Sequence, residues 1–252
     1  AVEGADAFAR VTVARGRAPR HPRATPATVL GVDAKLRGVY AATLEARARG
    51  WKPARFSRHV KGGRCEACVG TGHLRVALRD LDAVSVRCDA CHGSGFAADT
   101  LAIRVKGLSI AAVQALTLAE AATLFRDFAP IQRALQSAVD VGLGYVPLGE
   151  PTDRLSGGEA LRLRLAAALG RGRPQRTLYL LDEPSAGLHP IDVTHLAAVL
   201  LRLATDGNTV VCVEHHPLLV RQADHVIELG PGPGDEGGEV VYAGPPAGLP
   251  GL

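Results

Sequence analysis

The 252-residue sequence predicts an α/β fold, a parallel sheet with an inserted helical and metal-binding module. Three observations predict it. Apolar runs at 177–181 and 209–213 flank a helix-patterned stretch at 191–203, and strand–helix–strand order with short links implies parallel strands. Two Cys-x-x-Cys pairs precede this block. Asp182, Glu183 and His215 all fall at the C-terminal ends of predicted strands, where parallel sheets place their chemistry.

Taken in order, residues 1–30 read as extended or loop-like, because Pro19, Pro22 and Pro26 are spaced too closely for a helix. Leu36, Val39, Tyr40 and Leu44 have helical spacing, which predicts a helix over 36–49 that stops at Gly50. Little helical period follows over 51–96. Short helices are expected from Ser109 and from Thr117, the second with Glu120 three residues on in a capping box. Residues 159–169 form a helix with Leu161, Leu165 and Leu169 on one face. Asp206-Gly207-Asn208 is an exit turn, and 225–229 is expected to be a third strand of the sheet. Cys212, inside a predicted buried strand, is expected in the core. The organisation is therefore a basic segment with a helix (1–50), a metal module (51–108), a helical subdomain (109–154) and a C-terminal α/β half-module (155–252).

Composition narrows the function classes. No apolar stretch approaches the roughly 20 residues of a membrane span, so no membrane partner is expected. Four of the five cysteines lie in pairs, which points to a reducing, cytoplasmic compartment and a metal rather than disulfides. The net charge of +4 hides an asymmetry: residues 1–64 carry 14 Lys and Arg against 4 Asp and Glu, the remainder 15 against 21. Such a basic arm suits a polyanion, nucleic acid being the common one, or is a solvated linker.

Cys65, Cys68, Cys88 and Cys91 have a 19-residue gap between the pairs, which fits a structural Zn2+ site; unliganded buried or redox cysteines are the alternative. Four protein ligands leave no open position, so the ion orders the fold and does not catalyse. His73 and His92 lie beside the ligands and are not needed. The basic run before the first pair offers Arg58, Lys61 and Arg64 as phosphate contacts, or as plain surface charge.

Ser156, Gly157 and Gly158 begin a helix, and a hydroxyl with unhindered N–H groups there makes an anion corner suited to the γ-phosphate of ATP. A capped helix start would explain the serine alone. Asp182 suits Mg2+ and its water shell, Glu183 a general base or water positioner, and His215 a γ-phosphate sensor. A P-loop needs Gly-x-x-x-x-Gly-Lys-Ser/Thr, yet none of Lys35, Lys52, Lys61 and Lys106 follows a glycine.

Leu155-Ser156-Gly157-Gly158-Glu159 with Leu181-Asp182-Glu183-Pro184 resembles the second half of an ABC-type ATPase. Joined to the cysteine module, the residues resemble the C-terminal part of the UvrA family over about 26–244. The likeness includes Pro26-Ala27-Thr28, residues 55–57 and 63–68, Val141-Gly142-Leu143-Gly144-Tyr145, residues 155–160 and 181–189, Val213-Glu214-His215, Leu229-Gly230-Pro231 and Gly237-Gly238-Glu239. The resemblance implies ATP-dependent binding of damaged double-stranded DNA in nucleotide excision repair, loading of a UvrB-like protein, and pairing as a homodimer or with a P-loop-bearing UvrA segment. It places Ser156, Gly157 and Gly158 on nucleotide in trans, and Asp182, Glu183 and His215 at the site whose P-loop this sequence lacks.

There are departures. The family's Asp-Gln-Ser-Pro stretch is expected near 11–20, where this chain reads Val11-Thr12-Val13-Ala14-Arg15-Gly16-Arg17 and has no glutamine before Gln114. Glu150 and Asp153-Arg154 replace uncharged or amide residues. These features imply a C-terminal fragment, a split or degenerate gene product, or a divergent UvrA-like paralogue linked to resistance against DNA-binding drugs. ATP turnover is accordingly expected of a complete UvrA-like protein rather than of this chain alone. The cysteine pairs also resemble DnaJ zinc knuckles, but that family has no place for the ATPase block. A transporter ATPase has no use for the zinc insertion.

Overall fold

The computed structural model describes residues 4, 7–14, 24–78, 81–170, 176–232 and 237–251, which fall into two compact units. The first unit comprises Ala1–His21, Asp140–Leu143 and Asp153–Leu252; the second comprises Pro22–Val139 and Gly144–Thr152. The first unit opens with strand β1 (Arg10–Ala14). The second holds helices α1 (Pro26–Val29), α2 (Asp33–Ala41) and α3 (Leu44–Ala48), then hairpin β2 (His73–Leu78) with β3 (Leu81–Arg87). It continues through α4 (Ala98–Ala102), β4 (Arg104–Val105), β5 (Leu108–Ser109), α5 (Ile110–Ala115), α6 (Leu118–Leu124) and α7 (Ala129–Ala138). The rest of the first unit runs through α8 (Gly157–Leu169), β6 (Thr177–Asp182), α9 (Pro190–Thr205), β7 (Thr209–Val213), α10 (Pro217–Val220), β8 (Val226–Gly230) and β9 (Glu239–Gly244). Among the described residues no helix is long and apolar enough to cross a membrane.

In the first unit the parallel sheet has the order β1-β6-β7, with Val11 opposite Leu178 and Leu181 opposite Cys212. β6 is central because its alternate residues Thr177, Tyr179 and Leu181 are all buried. α9 supplies a long apolar stripe that includes Val193, Leu196, Leu200 and Leu203, each spaced to one face of a helix. The turn after α9 is tied to the start of β6, where Asn208 Oδ1 accepts from Thr177 N at 3.2 Å and Asn208 Nδ2 donates to Leu203 O at 2.8 Å. The outer strands carry exposed valines, Val11 and Val13 on β1 and Val211 and Val213 on β7.

Two expectations for this unit are corrected. The segment at 225–229 forms β8, which pairs antiparallel with β9 and stands outside the parallel sheet. The third parallel strand is instead β1, from a stretch expected to be extended or loop-like. Its alternating Val11-Thr12-Val13 is strand-like, but only five residues long and set beside a Pro- and Arg-rich run. The residues after it, where the family's glutamine is expected, lie outside the described residues. Cys212 is half-buried, because β7 is an outer strand of the three.

The second unit is mainly helical. The expected helix at 36–49 divides into α2 and α3 because Thr43 caps a new start, its Oγ1 accepting from Ala46 N at 3.3 Å and donating to Tyr40 O at 2.8 Å. α3 does end at Gly50, which takes a left-handed φ of 67°. Ser109 and Thr117 cap α5 and α6 as the sequence predicts, and the Glu120 carboxylate accepts from Thr117 N at 2.8 Å. Tyr40, Phe56, Phe96, Phe125 and Leu135 are fully buried, and each such side chain contributes about 1.5–3 kcal/mol.

Candidate metal centre and nucleotide half-site

The four cysteines converge. Their Sγ atoms all lie within 4.8 Å of one another and all four residues are buried. Two similar knuckles bring them there. In the first, Gly70 N donates to Cys65 O; in the second, Gly93 N donates to Cys88 O. The knuckles then clasp each other reciprocally, Cys65 N to Gly95 O at 2.8 Å and Cys88 N to Gly72 O at 2.9 Å. Val69 and His92 occupy equivalent left-handed positions, with φ of 52° and 48°. Gly70 is obligatory on two counts: its φ is +84°, and a Cβ there would meet Arg58 O at 1.7 Å.

The donor set fits a tetrahedral soft cation. Thiolates at about 2.3 Å from zinc stand about 3.8 Å apart, and Cys68 Sγ lies 3.7 Å from Cys91 Sγ. Gly72 N and Gly95 N donate to Cys68 Sγ and Cys91 Sγ at 3.2 and 3.3 Å, bonds that favour the thiolate. Burial pushes the Cys68 thiol up, but the Gly72 N–H and the neighbouring Cys91, Gly70 and Cys65 groups outweigh it and bring it down to about 7.

The three basic residues differ. Lys61 is exposed. Arg64 is half-buried and bonds Glu66 through Nε and Nη2 at 3.3 and 3.2 Å, which holds the Glu66 carboxyl below its usual range. Arg58 is half-buried too, and burial lowers its pKa against the opposing charge of Asp33. They share the run into the first knuckle.

In the first unit, Ser156 caps α8 in a capping box: Ser156 Oγ accepts from Glu159 N at 3.2 Å, while Glu159 Oε2 accepts from Ser156 N at 2.7 Å. The first helical bond runs from Ala160 N to Ser156 O. The N–H groups of Gly157 and Gly158 therefore lie within the helix's orphan turn, with Ser156 and Gly157 exposed. Gly158 is closely approached, since a Cβ there would stand 3.0 Å from Leu188 Cδ2 and that side chain would have to give by a few tenths of an ångström. That contact packs the start of α8 on the loop that follows β6.

Asp182 ends β6 opposite Val213, and Glu183 comes next with its N–H on Val213 O at 2.9 Å. Both carboxylates are exposed. Glu183 has φ +45°, a left-handed conformation that costs a non-glycine residue about 1–3 kcal/mol and tends to mark a functional position. His215, also exposed, lies two residues past the end of β7. The sheet thus sets Asp182 and Glu183 at the exit of one strand and His215 at the exit of its neighbour.

Two residues of this region escaped the sequence reading. Arg162 is 3% exposed inside the apolar stripe of α8, and its Nη1 reaches Asp192 Oδ1 at 3.3 Å and Val141 O at 3.2 Å. Gly142, at φ +76°, makes room for it, since a Cβ there would lie 3.1 Å from that same Nη1. An arginine amid the leucines of 161–165 was the available signal. Glu214 is the other. Its carboxylate accepts Ser185 N at 2.7 Å, His215 N at 2.9 Å and His216 N at 3.1 Å. Burial pushes the Glu214 carboxyl up, but the Ser185 hydroxyl and these N–H groups outweigh it and hold it below the usual range. The same region raises the Cys212 thiol to about 12, by burial first and the Glu214 charge second.

Residues 153–221 match a family model described as "AAA domain, putative AbiEii toxin, Type IV TA system". The chain is 50% identical over 227 residues to UvrABC system protein A of Thermus thermophilus, covering 90% of this chain and 24% of that protein. It is 48% identical to the protein of the same name from Synechocystis, covering 90% of this chain and 23% of the relative. The crystal structure of UvrA2 from Deinococcus radiodurans matches at a TM-score of 0.87 and 44% identity, over 95% of this chain and 30% of that one. The chain spans about a quarter of the length of the curated relatives it matches.

Proposed function

Because this chain belongs to the UvrA family, we propose that it is the signature-bearing, zinc-binding part of an ATP-dependent subunit that recognises damaged DNA in nucleotide excision repair and loads a UvrB-like protein. The observation that carries the ATPase half is the strained Glu183 beside Asp182 at one strand exit, with His215 at the next. A general base must be reachable by the attacking water, and the exposed carboxylate of Glu183 is. Glu183 accepts the proton of the attacking water, Asp182 holds the water shell of Mg2+, and His215 turns its imidazole to the terminal phosphate. Ser156, Gly157 and Gly158 donate to the same phosphate group of a nucleotide held by a P-loop on another segment or a second copy.

Zinc bound by Cys65, Cys68, Cys88 and Cys91 supplies order and leaves no open coordination position. The knuckle then holds Lys61, with Arg58 and Arg64, against DNA phosphates. Four free paired thiols suit a reducing cytoplasm.

ATP turnover is the test, measured with and without damaged duplex DNA. This chain alone is expected to bind DNA and turn over no ATP, since no lysine of its sequence follows a glycine. Supplemented with a P-loop-bearing UvrA segment it gains turnover, and Glu183→Gln lowers that rate by about 10²–10⁴-fold. Turnover by the chain alone, lost in Glu183→Gln, would show a phosphate site within these residues and overturn the half-site reading. A second form of the same reading is a divergent UvrA-like DNA-binding or drug-resistance protein, or a truncated module without ATP turnover of its own.

A further inference from the structure

Glu214 touches no reacting group in the scheme above, yet its carboxylate gathers backbone from two catalytic loops. Oε1 accepts Ser185 N, from the loop that follows Glu183, at 2.7 Å. Oε2 accepts His215 N and His216 N, from the loop that follows β7, at 2.9 and 3.1 Å. Among the described residues, the same strand exits are also joined by Glu183 N on Val213 O at 2.9 Å. The two ties bracket the left-handed Glu183, one at its own amide and one two residues on. Ser185 is buried, and the loop beyond it closes on itself through Ala186 N to Glu183 O and Leu188 N to Ser185 O. A neutral or shorter side chain at 214 could not satisfy all three donors. A carboxylate accepts with both oxygens at once, and charge-assisted bonds of this kind are about twice as strong as neutral ones.

Resting on the ATPase reading, we infer that Glu214 is a positioning residue: its carboxylate clamps the loop bearing Glu183 to the loop bearing His215 and so sets the distance between base and phosphate sensor. The same loop, through Ala186 and Leu188, packs on Gly158 at the start of α8. The clamp therefore reaches from the sensor, past the base, to the phosphate corner, all within one unit.

Two substitutions separate clamping from bulk stability. Glu214→Asp keeps the charge and the adjacent His215 and His216 donors within reach, but shortens the side chain by about 1.5 Å, so that the Ser185 bond fails. Glu214→Gln keeps the reach and turns one acceptor into an NH2 group facing an N–H donor. In the assembly of this chain with its P-loop-bearing segment, both are expected to lower kcat by about ten- to a hundredfold while KM for ATP stays within about threefold. The thermal midpoint of the folded variants serves as the control. A kcat within twofold of the parent in both variants overturns the proposal, as does a loss that only tracks the fraction unfolded. Glu183→Gln, run alongside, isolates the underlying reading: if it leaves turnover intact, the site assignment falls, whatever Glu214 does. Should the variants fail to fold, hydrogen exchange on the unsubstituted full chain decides, because a clamped Ser185 amide is protected and an open-loop rate there overturns the clamp.

Discussion

Glu183 combines an exposed carboxylate with a left-handed backbone, and the two properties make separable predictions. The strain belongs to the Cβ, not to the charge. Glu183→Gly should raise the stability of the chain by about 1 kcal/mol, read from its urea midpoint, because glycine adopts φ +45° freely. Glu183→Gln should leave it within about 0.5 kcal/mol of the parent. A lower midpoint for the glycine variant would show the conformation to be unstrained. Lys61 makes a second residue-scale prediction. It is exposed, whereas Arg64 is engaged by Glu66 and Arg58 is half-buried. Lys61→Ala should therefore flatten the dependence of log Kd on log salt by about one for duplex DNA. An unchanged slope would remove Lys61 from the phosphate contacts. Residue types alone could not rank these three cations, because the ranking comes from partners that lie nearby only once the knuckle folds.

At the scale of elements, the start of α8 shows what the sequence made legible. Ser156 and Glu159 stand three apart, and both bonds of the predicted capping box form. The cap and the phosphate corner share one hydroxyl, so removing it confounds them. Ser156→Ala should cost about 1 kcal/mol of stability and weaken nucleotide-dependent assembly with the P-loop-bearing segment. Ser156→Asp keeps an N-cap acceptor and adds a favourable charge at the helix N-terminus, so stability should hold while assembly fails by repulsion of the phosphate. Intact ATP-dependent assembly in Ser156→Asp, followed by sedimentation, would make this a cap and nothing more. Other elements were legible for the same local reason, namely caps at Ser109 and Thr117 and apolar runs at β6 and β7. The failures are non-local. β1 and β8 are both short runs of β-branched residues, and which of them joins the parallel sheet depends on pairing across more than 160 residues of chain. Glu214 was illegible because its meaning lies in a loop 29 residues away.

At the scale of the molecule, both units bury an apolar core, and the cysteine segment of the second is the exception. The first buries Tyr179 and Leu181 of its sheet and Leu163, Leu165, Leu196 and Leu203 of its helices. Among its described residues, the segment from Gly63 to Ala97 in the second buries a single large apolar side chain, Phe96. Its hairpin valines Val76, Val84 and Val86 and its Leu74 are 39–47% exposed, and its buried cluster consists of the four cysteines. So small a segment offsets little of its chain entropy by apolar burial, and under the proposed zinc binding the metal would supply its folding energy. A strong chelator should therefore abolish hydrogen-exchange protection at Cys65, Cys88 and Ala97, whose amides bond Gly95, Gly72 and Gly63, and DNA affinity should fall with it. Amides of β6 should keep their protection, because the Tyr179 and Leu181 side chains are buried in a unit that holds none of the four ligands. Simultaneous loss in β6 would mean that the ion stabilises both units. Protection that survives at Cys65 and Cys88 would mean that the knuckles hold without a metal, and the thiol cluster would then be a packed core.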